Sequence, residues 1–271
     1  MITWDQFRLL FSGALFRNAL IVGVLLSVTA ALLGVTLVLK RYAMIGDGLS
    51  HVSFGAMAVA IALGETPLTV AIPVVILAAF MLLRVSEKSR VKGDAAVALV
   101  STASLAIGAL ASRGINIDIE GYMFGSIVSV TTADVILTVC LAVFVLILYI
   151  LFYHRIFSVT FDDTFAKATG MRPGWYHAMI AIMTALTVVI GMRLVGSLLI
   201  SALIIFPALS AMRLFKSFRS VVIAAGTIAA SSFLCALVIS LIFDISTSAC
   251  VVLLDLLIYG IASVAATLKK A

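Results

Sequence analysis

Apolar runs of about bilayer length recur from one end of this chain to the other, separated by short polar connections. A membrane-crossing helix needs about 20 mostly apolar residues to traverse a hydrocarbon core of about 30 Å. Clear runs occupy 18–39, 67–83, 95–111, 135–153, 194–212 and 221–243, and three more, 45–63, 174–192 and 247–268, carry polar residues within them. A bilayer core holds no water for exposed backbone groups, so such runs fold as a bundle of helices. The expected fold is all-α and polytopic, with eight or nine transmembrane helices. The run 45–63, short and interrupted by glycines, separates the two counts. The residues are 64% hydrophobic and 11% charged, against about 45–50% and about 25% in soluble domains. That excludes a soluble body with a single anchor.

Residues 1–17 are expected to form a separate interfacial segment. Phe7, Leu10, Phe11, Ala14 and Leu15 mark one face of a short amphipathic helix beside Trp4. The segment lacks the basic-then-apolar order and small-residue cleavage site of a leader. Residues 18–271 are expected to form one transmembrane domain, without internal repeat or second domain. The net charge of +6 reflects loop bias rather than a nucleic-acid partner. With nine spans and the N-terminus outside, the basic residues at 40–41, 84–92, 155–172, 213–219 and 269–270 share one side. Only Arg8, Arg17, Arg113 and Arg193 remain on the other, and the basic side is read as cytoplasmic. Cys140, Cys235 and Cys250 lie in apolar runs without CxxC spacing, and are expected to be buried small hydrophobes with no redox or metal role.

In Gly46-Asp47-Gly48-Leu49-Ser50-His51, a carboxylate and an imidazole stand one helical turn apart and so share a face. Ionisable groups are costly in hydrocarbon and usually face a cavity or an ion path. Asp and His suit divalent ions such as zinc and manganese, but two donors do not fill a shell of about four. Other helices, a symmetry-related copy or water would supply the rest. The structural alternative is that Asp47 caps its helix while His51 bonds a neighbouring carbonyl. Gly48, Gly55, Ala58 and Ala62 allow close helix packing along the same segment.

Asp244, at the external edge after 221–243, reads either as an entry ligand or as a helix-end carboxylate. Asp255, among leucines, is expected to be buried in a bond between helices. His154 and His177 are expected at the cytoplasmic interface. The external loop 112–134 holds Asp118, Glu120 and an apolar piece at 121–126, expected to dip into the membrane or cover a cavity mouth. In the internal loop 154–173, early Asp162 and Asp163, later Lys167 and final Gly170 fit a short capped helix, with Phe161, Phe165 and Ala168 on one face. The chain has no GxxxxGK[ST] phosphate loop, no HExxH, no CxxC and no GxSxG elbow, so neither ATP binding of that kind nor an intramembrane enzyme is expected.

Taken in order, several blocks resemble the permease subunits of zinc/manganese ABC transporters, the ABC-3 type. Residues 41–55 look like that family's "GD-x-L-S-H … G" signature, and Lys92-Gly93-Asp94-Ala95-Ala96 and Phe124-Gly125-Ser126 follow. Phe161-Asp162-Asp163 … Ala166 … Gly170 is similar to "FDPEFA-x-x-x-G", and 195–208 to "VGxLLxSALLIxPA". The blocks span roughly 18–268. Asp163 stands where the family has proline, and the stretch after Asp244 lacks the family's proline and glycine.

The resemblance implies an importer permease in a bacterial cell membrane that holds no permanent cofactor and passes zinc or manganese along Asp47 and His51, with Asp244 as a further candidate metal ligand. It implies a homodimer or paired permeases, cytoplasmic ABC ATPase subunits and an extracytoplasmic metal-binding protein. ATPase coupling would fall on a helix near 161–171, at Asp162, Asp163, Ala166 and Gly170. The alternatives are a secondary transporter or channel working alone, and a permease for a metal chelate.

Overall fold

The structure, a computed structural model, describes residues 14–88, 93–113, 125 and 130–268. Outside the described residues lie Trp4, Phe7, Arg8, Leu10 and Phe11 of the expected interfacial segment. So do Arg90, Lys92, Asp118, Glu120, Phe124, Ser126, Lys269 and Lys270.

The described residues form helices and turns, without a strand. The helices are α1 (Ala14–Leu39), α2 (Ile45–Ala62), α3 (Pro67–Lys88), α4 (Gly93–Ala111), α5 (Thr132–Leu151), α6 (Tyr153–Phe161), α7 (Asp163–Ala168), α8 (Pro173–Val195), α9 (Ser197–Leu214), α10 (Phe218–Phe243) and α11 (Thr247–Leu268). Among them, α1, α2, α5, α8, α9, α10 and α11 are long and apolar enough to cross a membrane, while α3 and α4 contain shorter apolar stretches. The helices match the nine expected runs; α6 is an addition inside the internal loop.

Several polar side chains within the spans bond back to their own helix. Ser27 donates to Gly23 O at 2.7 Å, Thr29 to Leu25 O at 2.9 Å and Thr187 to Met183 O at 2.8 Å. Such back-bonding lets a hydroxyl sit in an apolar helix without an unmet donor. Helix α8 lies at the centre, packed against α1, α2, α3, α5 and α9, whereas α11 rests on α9 and α10. Leu253, Leu256, Leu257, Ile261 and Val264 of α11 face outward, as a lipid-facing stripe does.

The two ends of the bundle are chemically distinct. At one, Lys40 after α1, Asp163 of α7 and His177 of α8 meet, and Arg155 of α6 donates to the Tyr176 hydroxyl at 2.6 Å. These elements carry the loops expected inside. At the other end, Arg193 pairs with Asp134 at 3.3 Å and Ser248 donates to Val195 O at 2.9 Å. Asp134 and Thr131 form a capping box that starts α5, a T-x-x-D pattern legible in the sequence. Gly125, with φ 71°, presses its backbone on Val195; a Cβ there would sit 2.2 Å from the Val195 carbonyl carbon. Gly125 is thereby tied to the junction of α8 and α9.

Three expectations change. His177 is buried in an ion-paired cluster rather than interfacial, because the start of α8 is covered by α7 and the end of α1. Cys140 and Cys235 are exposed on outward faces, and only Cys250 is buried; a thiol is apolar enough for either place. Asp255 is buried, but neither carboxylate oxygen accepts a hydrogen bond among the described residues. The Ser232 hydroxyl, on neighbouring α10, donates to Ala229 O instead.

Candidate functional site

Helix α2 is the most polar-bearing of the buried spans. Its start has no side-chain cap: Met44 occupies the N-cap, and Asp47 sits in the first turn, where a negative charge suits the helix dipole. His51 follows one turn later, with its Nε2 3.6 Å from Asp47 Oδ2. The other carboxylate oxygen accepts from the Ser201 hydroxyl of α9 at 3.1 Å. Neither half of the structural alternative is met. Asp47 caps nothing, and His51 bonds no carbonyl among the described residues.

Packing explains why these two side chains remain accessible while their neighbours do not. Gly46, Gly48, Leu49, Ser50, Val52, Ser53, Phe54 and Gly55 are all buried. A Cβ at Gly48 would lie 2.6 Å from Val97 Cγ1, and one at Gly55 2.5 Å from Ser104 O, so α4 crosses α2 nearly backbone to backbone. A Cβ at Gly46 would lie 2.7 Å from Ile204 Cδ1, which brings α9 equally close on another flank. Pinned on these sides, α2 leaves one strip open. The side chains of Asp47 and His51 on that strip retain 38% and 26% of their full exposure. On α9, Leu198, Ser201 and Ile205 border the strip at helical spacing, and none of them is buried.

The arrangement offers a carboxylate, an imidazole and a serine hydroxyl to an approaching cation. Among the described residues no three His, Cys, Asp or Glu side chains come together as a metal cluster. Asp244 accordingly does not join Asp47 and His51. It ends α10 in the left-handed conformation (φ 53°), exposed at the opposite end from the Lys40 cluster. Ser201 is the residue that sequence reasoning missed. Its only signal was membership of the 195–208 block, because a serine in an apolar run usually bonds its own helix, as Ser201 also does with Ser197 O.

The expected coupling residues belong to the short helix α7 and its flanks, with Asp162 and Gly170 exposed and Ala166 buried. Asp162 accepts from the Thr164 and Phe165 amides at 2.8 and 3.0 Å and caps α7. Asp163 pairs with Lys40 Nζ at 3.4 Å and His177 Nε2 at 3.2 Å, tying α7 to α1 and α8. Ala166 is fully buried, and Gly170 (φ 82°) turns the chain out of the helix. Phe157, Phe161 and Phe165 are exposed among the polar residues of this segment, and Phe157 and Phe161 stack with Phe218.

Known proteins resemble the whole chain. The family described as the ABC 3 transport family matches residues 12–266. The "Manganese transport system membrane protein MntC" of Halalkalibacterium halodurans is 27% identical over 259 residues, covering 94% of this chain and 89% of that protein. The "Probable iron transport system membrane protein" of Haemophilus influenzae is 30% identical over 251 residues, covering 91% and 92%. Among solved structures, "PsaBC from Streptococcus pneumoniae in complex with Fab" superposes with a TM-score of 0.84 at 27% identity, over 94% of this chain and 93% of that one.

Proposed function

Because the chain belongs to the ABC 3 transport family, we propose that it is the membrane-spanning permease subunit of an ATP-driven importer of divalent metal ions, manganese or zinc, which pass the Asp47/His51 station. One observation carries the reading: a carboxylate and an imidazole held on the open strip of an otherwise buried helix, with no third His, Cys, Asp or Glu joining them among the described residues. Relatives named for manganese and for iron favour a first-row divalent cargo. The tight seams at Gly46 and Gly48 suit a bare ion better than a bulky chelate.

Two copies of the chain meeting across the open strip would bring together two carboxylates and two imidazoles. Four such donors, with Ser201 hydroxyls or water, complete a shell for manganese or zinc. An extracytoplasmic binding protein delivers the ion to the outer mouth, and cytoplasmic ABC ATPase subunits grip the exposed Phe161 at the end of α6 and Phe165 of α7. Movement of α7 is passed through Asp163 to Lys40 and His177, hence to α1 and α8, and α8 packs directly on α2.

Reconstitution in liposomes tests this. Metal uptake is expected only with the ATPase and ATP present, and flux through the permease alone would sink the proposal in favour of a channel or secondary transporter. Equilibrium binding separately tests the shared site, with one ion expected per two permease chains. One ion per chain would remove it.

A further inference from the structure

At the cytoplasmic end, away from the metal station, a cavity of about 500 Å³ opens between α6, the turn after α7 and the start of α8. Its walls combine Phe152, Trp175 and Tyr176 with the guanidinium groups of Arg155 and Arg172. Arg155 is held by the Tyr176 hydroxyl at 2.6 Å, with its guanidinium carbon 6.0 and 5.9 Å from the Phe152 and Tyr176 ring centres. Arg172 makes no side-chain ion pair or hydrogen bond among the described residues. Among the described residues no carboxylate pairs with either group, so the cavity presents two positive charges.

Its position says which anion it meets. Helix α5 ends at Leu151, one residue before Phe152 of the cavity wall, and Ile147, Ile150 and Leu151 are exposed aliphatic side chains at helical spacing on that span. Trp175, 56% exposed, lines the cavity in the first turn of α8. Arginines beside tryptophan at the cytoplasmic boundary of a lipid-facing helix form a pattern suited to lipid headgroups. The aromatic stripe of Phe157 and Phe161 packs toward Phe218 of α10, while Arg155 turns to Tyr176 of α8. The two surfaces of α6 therefore face different neighbours.

We infer that the Arg155/Arg172 cavity binds the headgroup of an anionic phospholipid from the inner leaflet, its acyl chains lying along Ile147, Ile150 and Leu151. The phosphate takes the two guanidinium groups, and the rings of Trp175 and Phe152 cover the glycerol region. Such a lipid would brace α5 and α6 against α8 beside the Asp163 clamp, independently of which metal is carried.

Native mass spectrometry of the full chain purified in detergent tests this, using phosphatidylglycerol against phosphatidylcholine with the same acyl chains. The wild type is expected to retain phosphatidylglycerol in preference. Arg172→Gln should cut that preference about fivefold, the equivalent of about 1 kcal/mol for one basic residue at an anionic surface. Arg155→Gln with Arg172→Gln should abolish it, and Arg113→Gln at the far end should leave it intact. Arg172 is exposed and makes no side-chain bond among the described residues, so its single variant decides the matter even if the double variant fails to fold. Equal retention of the two lipids, or an unchanged preference in Arg172→Gln, overturns the inference. Displacement of the lipid by inorganic phosphate would mark a free-anion site and also overturn it. So would an unchanged lipid preference with loss of ATPase co-purification, which would assign the cavity to the protein partner.

Discussion

Two polar groupings in this bundle use the same residue types to opposite ends. Lys40, Asp163 and His177 close on one another, with the lysine and imidazole nearly buried and every distance between 3.1 and 3.5 Å. Asp47 and His51 stand 3.6 Å apart on an open strip, steadied by one serine. In the first, charge and hydrogen-bonding capacity are met within the chain, and the product is a clamp between α1, α7 and α8. In the second they are left over, which is what a transient ligand requires. The presence of His and Asp therefore says less about function than whether their partners are already supplied.

The comparison is broken most directly at the open pair. Asp47→Ala and His51→Ala are each expected to lower metal affinity about 100-fold or more, since even an outer partner of a metal ligand is worth about 10–100-fold. Folding should be nearly unchanged, because a half-exposed pair contributes little stability. Radiolabelled manganese and zinc uptake, read beside thermal melting in detergent, checks both halves. Wild-type uptake in both variants would overturn the site.

The seam that positions the pair comes next. Gly55→Ala places a methyl group 2.5 Å from the Ser104 carbonyl oxygen, a backbone atom that cannot swing aside. A stability loss of about 1–3 kcal/mol is expected, seen as a lower melting temperature. An unchanged melt would mean that α4 does not press on α2 as described.

At the closed cluster the effect should be smaller and of the reverse kind. Lys40→Met should cost about 1–2 kcal/mol, discounted because Asp163 remains 41% exposed to solvent screening. Metal affinity should stay at the wild-type level while uptake per ATP hydrolysed falls. A variant that loses metal binding as strongly as Asp47→Ala would erase the distinction between the two groupings. The smallest change belongs to Ser201→Ala, which removes one hydrogen bond to Asp47 and should weaken metal binding about fivefold, near 1 kcal/mol. Competition binding with a metal-sensitive dye resolves that difference.

Much of this was legible from residue order. The bundle of spans followed from run length, and the basic end from the loops at 40–41 and 155–172. The capped α7 followed from Asp162 and Gly170. His177 was misread because a histidine near a span end looks interfacial until the chain 137 positions earlier brings Lys40 to it. Asp255 was rightly placed inside the bundle, yet the interhelical bond expected of it is not formed among the described residues. Which hydroxyl turns toward another helix depends on rotamers and helix rotation, and these leave no trace in an apolar run.

By itself the sequence determined that the chain is helical and membrane-spanning, which end carries the basic residues, and that Asp47 and His51 share a helix face. Those properties follow from local periodicity and from the cost of placing polar groups in hydrocarbon. Only the tertiary structure decided that this face is the open one, that Ser201 rather than Asp244 stands beside it, and that Asp163 is consumed in a clamp. Contacts between helices far apart in the chain depend on which backbones can approach closely, and here the glycines of α2 set that distance.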